Sequence, residues 1–496
     1  MNAAQRTRKR EQLAANIDGA ILLLGSDPAP RNAPTNTHPF RQDSHFLYFT
    51  GLAAPALAWL RAPDGGDTLY ATARDVKDIV WNGPSPSPAD YAAQAGIAQV
   101  APLSQLADDV AKLRARGVPI HYLPPYRADA RYTLSRLLAV PVDRVNDGAS
   151  APLSAAVAAM RSVKSADEVA EIERALGVTA QLYDAALSEM APGKSERDVL
   201  AAVTQVAVRA GMPFSFAPII TVRGEFLHNP GCAAQMRPDD LLLIDIGVEA
   251  APSHYCSDIT RTFPVGGRFS AQARAVYEIV LAAQAAAIAQ AGPGVPNTEV
   301  HLAAVRVIVA GLKSLGLLRG NEEEAARRGA HTLFFPHGIG HMLGLDVHDL
   351  SDLGDLSHLT PRRTQSDSVR TQSDSVGTQS DLVRTQSDSS RLDIGSALRS
   401  TQSDYGLHLL RLTRPLAAGN VVTVEPGIYF IPDLVAQWQA SQRLAEFIDY
   451  AAVAPFLGLG GIRIEDDILI ESGGARVLGP VPILKSPDDI EARLRG

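Results

Sequence analysis

Cysteine is almost missing from this chain. Only Cys232 and Cys256 occur among 496 residues. That excludes a disulfide framework, and no CxxC or Cys/His spacing offers a structural zinc site. Such usage suits a reducing compartment, so the cytoplasm is the expected location. Long apolar runs are missing too: no stretch reaches 18 apolar residues, and no membrane span or membrane partner is expected. The run from Ala20 to Leu24 is too short for a signal-peptide core, and Glu11 and Asp18 separate it from the basic cluster before it. Nor is positive charge in excess. There are 46 Lys and Arg against 54 Asp and Glu, a net charge of -8, which argues against a nucleic-acid partner.

What remains is globular material, 46% hydrophobic and 20% charged, long enough for two or more domains. Over residues 1–150, segments that read as strands (AILLLG, HFLYFTG, DTLYATA) alternate with helical stretches such as LSQLADDVAKLRARG, an α/β pattern. The stretch VDRVNDGASAPLSAAVAAMRSVKS reads as a helical joint. Ser165-Ala-Asp-Glu168 then gives a capping-box signature for a helix running to near Met190. A second helix runs from Ser195 to near Ala210, and the pattern changes to strands (FAPIITV, LLLIDIGV, HYCSDITRTFPV). Two further helices, Ser270 to near Ala291 and Asn297 to Leu315, precede a second set of strands (NVVTVEPGIYF, GIRIEDDILI). Helices followed by antiparallel-type strands, twice over, indicate an α+β domain with an approximate internal duplication.

One segment breaks this order. TQSDSVRTQSDSVGTQSDLVRTQSDSS, from Thr364 to Ser390, holds four copies of a seven-residue unit, and a fifth TQSD begins at Thr401. The period matches a coiled coil, but each unit carries about one apolar residue (Val369, Val376, Val383) where two per heptad are needed. Its polar, charge-balanced composition cannot offset the entropy of ordering it. A disordered insertion over 360–404 is expected, with neutral tandem duplication the preferred reading and a docking segment near a cleft the alternative.

The chemistry is carried by carboxylates in apolar surroundings. Asp245 interrupts LLLIDIG, Asp258 sits in CSDITRTFP, Glu425 in VVTVEPGIYF and Glu465 in GIRIEDDILI. A buried carboxylate is costly unless paired or metal-bound. Taken singly, Asp245 also fits a strand-end turn cap, and the others fit solvated strand faces or structural ion pairs. Four such residues in one domain point instead to a shared site. FFPHGIGHMLGLDVHD adds His337, His341 and His348 within twelve residues, beside glycines that permit close backbone approach. HGIGH is not the zincin HExxH motif, because no glutamate lies between its histidines. The candidate ligands are Asp245, Asp258, His341, Glu425 and Glu465. This oxygen-rich set with one nitrogen suits Mn2+, or Co2+ or Zn2+. Four carboxylates balance two divalent ions better than one.

The segments LLLIDIG, SDITRTFP, HGIGHMLGLDVHD, TVEPGIYF and GIRIEDD, in this order, resemble the pita-bread metallopeptidases of peptidase family M24, in the Xaa-Pro aminopeptidase (aminopeptidase P) and prolidase branch. FRQDSHFLYFTG is similar to the N-terminal domain that these enzymes share with creatinase. The resemblance implies an N-terminal α/β domain over 1–150 and a pita-bread α+β catalytic domain with pseudo-two-fold duplication over 160–485, interrupted by the repeat. It implies that Asp245 and Asp258 hold one ion, that His341 and Glu425 hold the other, and that Asp258 and Glu465 bridge. Glu425 is implied as proton acceptor, His337 near the developing oxyanion and His348 near the scissile proline. His228, Arg463 and Tyr429 complete the implied substrate site, plain packing being the alternative for His228 and Tyr429. The implied activity removes the first residue from peptides with proline at the second position, by attack of a metal-activated hydroxide on the Xaa-Pro bond. A prolidase acting on Xaa-Pro dipeptides, or a pita-bread domain without catalysis, are the alternatives. The family further implies a homo-oligomer, dimer or tetramer, with Trp81 a candidate at the border with a neighbour. Two departures stand out. Asp245 and Asp258 are two residues further apart than the family pattern, and Cys256 is expected to share the strand face of Asp258.

Overall fold

The computed structural model describes residues 1–229, 231–353, 412 and 414–495. The TQSD repeat and the insertion expected over 360–404 lie outside the described residues. Helix α1 (Ala3–Ala14) opens on a capping box between Asn2 and Gln5. Strand β1 (Ala20–Leu24), a small hairpin of β2 (Pro30–Ala33) and β3 (Asn36–Thr37), and helix α2 (Ser44–Thr50) follow. Next come β4 (Leu57–Arg61), β5 (Asp67–Ala71), α3 (Val76–Asn82), α4 (Pro88–Ala95), β6 (Gln99–Pro102), α5 (Leu106–Ala115), β7 (Ile120–His121) and α6 (Ala128–Leu138). The strands form one mixed sheet in the order β6-β5-β4-β1-β7. Alternation along β1 and β4 feeds both faces. Leu22, Ala58 and Leu60 pack with Leu106 and Leu134 of the helices on one side. Ile21, Leu23 and Trp59 pack with Leu13 and Phe49 on the other.

One expectation is corrected here. HFLYFTG is not a strand but helix α2, begun by the Asp43 side chain accepting from the Phe46 N–H and ended by Gly51 in the left-handed conformation. All seven of its residues are buried. A helix buried on every side shows no amphipathic period, and a run this short reads equally well as a core strand.

Helix α7 (Ala151–Ser162) is the joint read from the sequence. Beyond it, α8 (Ala166–Glu189) and α9 (Glu196–Ala210) precede β8 (Ile219–Thr221), β9 (Leu241–Ile246), β10 (Glu249–Ala250), β11 (Tyr255–Cys256) and β12 (Ile259–Pro264). Then α10 (Ala271–Gln290), α11 (Asn297–Ser314) and the short α12 (Glu322–Arg327) precede β13 (Val421–Val424), β14 (Gly427–Tyr429), β15 (Gly461–Arg463), β16 (Asp466–Glu471) and β17 (Gly474–Val477). The order of two long helices and then antiparallel strands is therefore present twice. The predicted capping box holds: the Ser165 and Glu168 side chains each accept the other's backbone N–H. Strands β9 and β12 pair from Ile246–Ile259 to Leu241–Pro264 and are buried along their whole length. Buried on both faces, β9 reads as an apolar run broken only by Asp245, while β12 buries Thr260, Arg261 and Thr262. Leu13, Phe46 and Trp59 share one continuous core with Val169 and Ile172, so the N-terminal unit is packed onto the helices of the second.

Candidate metal centre

The site is built at places where the strands stop. Asp245 alone lies inside a strand, β9. Asp258 precedes β12, Glu425 follows β13, and Glu465 falls between β15 and β16. The expectation that Asp258, Glu425 and Glu465 sit within strands is thus corrected. Pro426 has no N–H for a ladder bond and ends the pairing after Glu425. Breaks of this kind re-aim side chains out of strict alternation, and here they turn carboxylates toward one cavity of about 870 Å³. Asp245, Asp258, Glu425, Glu465, His341, His337, His348, His228 and Arg463 all line it.

Asp258, His341 and Glu465 form the tightest group, with one ligand atom from each lying within 4.8 Å of the others. His341 Nε2 is 3.5 Å from Asp258 Oδ2 and 3.6 Å from Glu425 Oε1. Its ring is fixed from behind, because Nδ1 lies 3.0 Å from the Met342 carbonyl. The proton on Nδ1 leaves the Nε2 lone pair facing the carboxylates, the tautomer a metal ligand needs. The backbone is held as well: the His341 N–H donates to Thr423 Oγ1 (3.1 Å), and the Thr423 N–H to the His341 carbonyl (2.9 Å). This close passage requires Gly340, where a Cβ would stand 2.0 Å from the Thr423 carbonyl oxygen.

The charges are out of balance without cations. Burial, reinforced by the neighbouring carboxylates, pushes the Asp258 and Glu465 carboxyls well above the usual range. Asp245 Oδ1 is buried without a hydrogen-bond partner among the described residues. An orphaned buried carboxylate oxygen and two strained acids beside a correctly oriented imidazole fit a divalent cation.

Arg463 organises the rear of the site. It donates to Asp245 Oδ2 (2.6 Å), to Thr260 Oγ1 (3.0 Å) and to the Tyr429 hydroxyl (3.0 Å). Thr260 in turn donates to Glu465 Oε2 (2.6 Å). The Tyr429 hydroxyl lies 2.8 Å from His337 Nε2, and His337 Nδ1 lies 2.8 Å from the Gly338 carbonyl. Tyr429 therefore donates to His337, whose proton is on Nδ1. Burial and the Arg463 charge lower the His337 pKa to about 3, keeping the ring neutral. Both nitrogens of His337 are thus engaged, and Tyr429 stands behind it rather than on the cavity wall. His348 packs edge-on against His341, ring centroids 4.3 Å apart. His228 lies on the rim. Cys256 does not share the face of Asp258, since the break between β11 and β12 turns it into a neighbouring cavity with Glu249 and Leu345.

Two residues escaped the reading of the sequence, Thr260 and Thr423; Asp467, which alternation puts on one face with Arg463 and Glu465, acts instead through its Oδ2, which accepts the Asp258 N–H (3.1 Å). A signal existed for the two threonines. Each stands two residues from a carboxylate, Thr260 after Asp258 and Thr423 before Glu425, the spacing that shares a strand face.

Comparison with known proteins identifies this geometry. The pattern of "Metallopeptidase family M24" matches residues 170–378 and 391–472, more than half of the chain. The chain belongs to metallopeptidase family M24. The family pattern skips 379–390, inside the TQSD repeat. "Aminopeptidase P, N-terminal domain" matches residues 6–120, giving the M24 unit its N-terminal partner. A probable Xaa-Pro aminopeptidase of Metarhizium robertsii is 30% identical, over 94% of this chain and 88% of the relative. One of Coccidioides posadasii is 29% identical, over 95% and 92%. Among solved structures, Escherichia coli aminopeptidase P with the inhibitor Pro-Leu is 26% identical with a TM-score of 0.76, over 100% of this chain and 98% of that one. Aminopeptidase PepP of Pseudomonas aeruginosa gives 28%, 0.76 and the same coverage. The two-domain M24 architecture expected from the sequence is the one found.

Proposed function

We propose that this M24 protein is a metal-dependent Xaa-Pro aminopeptidase that removes the first residue from peptides with proline in second place. The observation that carries it is the convergence of Asp258, His341 and Glu465, with Asp245 and Glu425, in one cavity of a chain whose relatives are named Xaa-Pro aminopeptidases. Two divalent ions, Mn2+ by preference, would be held by Asp245, Asp258, His341, Glu425 and Glu465. When bound, such ions lower the pKa of water toward neutrality and polarise a carbonyl. Glu425, the most accessible of the carboxylates, accepts the proton and passes it to the leaving prolyl nitrogen. Arg463 and Thr260 hold Asp245 and Glu465 in place. Asp245 and Asp258 attract the free amine of the substrate, restricting cleavage to the first bond. His348 flanks the proline ring, His228 meets the peptide at the rim, and Tyr429 and His337 brace Arg463 and the oxyanion side.

The protein acts in the cytoplasm, in keeping with two free thiols at Cys232 and Cys256, and as a dimer or tetramer. Helix α3 supports the assembly. None of its residues is buried, and Val76, Val80 and Trp81 are 74–77% exposed, an apolar face suited to a second copy. The test of activity is Ala-Pro-Ala against Ala-Pro on Mn2+-reconstituted protein. Release of alanine with kcat/KM on the order of tenfold higher for the tripeptide is expected. Preference for the dipeptide would make the protein a prolidase, and no cleavage of either would refute both.

A further inference from the structure

The cavity that holds the carboxylates is bordered at His348 by another. Val347 and His348 are shared with a second cavity of about 370 Å³ between the two domains. Its walls are charged and polar: Arg41 and Ser44 from the N-terminal domain, Glu249, Asp346 and Ser351 from the other. The second cavity shares Asp43, His45, Tyr126 and Arg127 with a third, of about 470 Å³, inside the N-terminal domain. This third cavity is apolar in the main, with Leu24, Ala56, Leu103, Pro125 and Leu137 among its walls. It sits where the parallel strands β1 and β7 end side by side, with helices α5 and α6 around it. In α/β sheets the crevice outside the carboxyl ends of such strands is where ligands bind. Nothing in the metal chemistry uses this crevice, and a stable core has no need of an open apolar chamber at its rim.

We infer that the third cavity is a remote subsite for an apolar side chain of the same peptide substrate, several residues downstream of the proline. The inference rests on the aminopeptidase activity proposed for this site, in which His348 flanks the proline, so that the cavity beyond His348 receives the residues on the carboxyl side of that proline. Polar walls in the middle suit a peptide backbone with its amides and carbonyls, and apolar walls at the far end suit a side chain. The substrate class is then a peptide of more than three residues carrying a leucine-like residue at one set distance from the cleaved bond.

The experiment is a series Ala-Pro-(Gly)n-Leu and Ala-Pro-(Gly)n-Ser, with n from none to about six in steps of one extended residue. At one value of n, leucine raises kcat/KM over serine by about tenfold, the worth of one buried aliphatic side chain, mainly through KM. Ala107→Trp, at the exposed rim of the chamber, and Thr133→Trp, on its wall, each fill the space. Both bring the leucine-to-serine ratio back to one. Equal rates for leucine and serine at every n overturn the inference while leaving the aminopeptidase reading intact, because the short peptides are still cleaved. A leucine preference that survives in both tryptophan variants overturns it too, by placing the side chain elsewhere. Failure to cleave any member of the series removes the aminopeptidase reading and this inference with it.

Discussion

At the scale of single residues, the site is defined by charges that do not belong together without cations. Glu425→Gln removes the proton acceptor and a metal ligand while preserving shape, so kcat on Ala-Pro-Ala falls by roughly 10²–10⁴-fold even at saturating Mn2+. A loss under tenfold would give the proton to another group. Glu465→Gln separates function from stability. Turnover is lost, yet the chelated protein melts higher than the parent, by about 1 °C for each kcal/mol of repulsion removed in a chain this long, because one crowded carboxylate is gone. A lower melting point in chelator would mean that Glu465 is structural. These acids were legible because a carboxylate in LLLIDIG or GIRIEDDILI violates an apolar pattern. Thr260 and Thr423 were less so: their two-residue spacing from a carboxylate is a signal, but threonine is at home in any strand. Their roles depend on which strand lies opposite, and only the folded pairing supplies that.

At the scale of elements, the strand breaks are what a period-two reading misses. Strict alternation over GIRIEDDILI would put Arg463, Glu465 and Asp467 on one face; Arg463 and Glu465 do line one cavity, but β15 ends between them, with the Glu465 N–H donating to the Thr260 carbonyl (3.0 Å). Arg261 secures this break by donating to the Glu465 carbonyl (2.6 Å) and to Asp466 Oδ1 (2.6 Å). Helix α2 was misread because all seven of its residues are buried, so no solvent-facing polar stripe marks it. The cue lay at its ends, in Asp43 and Gly51, which are the cap residues of a helix rather than the flanks of a strand. Gly340→Ala tests the close passage of the histidine loop over β13. With no room for a Cβ beside the Thr423 carbonyl, the change costs about 1–3 kcal/mol and displaces His341. Thermal melting and Mn2+ affinity should therefore fall together, and unchanged affinity would show that the loop is not held there.

At the scale of the whole molecule, two domains and a site between secondary-structure ends emerge from a chain interrupted by a repeat. Leu353 and Leu412, on either side of that interruption, are both buried in the main core. The closure cost of a longer connection is small, so excising Thr364 to Ser400 leaves the tripeptide KM within about twofold. A larger change would give the repeat a part in binding. The core also contains a pH liability. His301 and His331 are completely buried, and none of their ring nitrogens has a hydrogen-bond partner among the described residues. Burial lowers their pKa values from 6.5 to about 4 and about 3. Since the unfolded chain takes up protons first, stability is full above pH 6.5 and declines as pH falls from there toward the folded values. Melting points between pH 7.5 and 4.5 should drop less in His301→Phe than in the parent. Identical pH profiles would place the acid sensitivity elsewhere.

The most direct test of the central claim, that five side chains form one divalent metal centre for Xaa-Pro cleavage, is a titration. Turnover of Ala-Pro-Ala is followed as Mn2+ is added to the chelated protein. The account predicts no cleavage without metal and a rise to a plateau at two equivalents per chain, with no comparable rise in Asp258→Asn. Cleavage by the metal-free protein, or an Asp258→Asn variant that titrates like the parent, would contradict it.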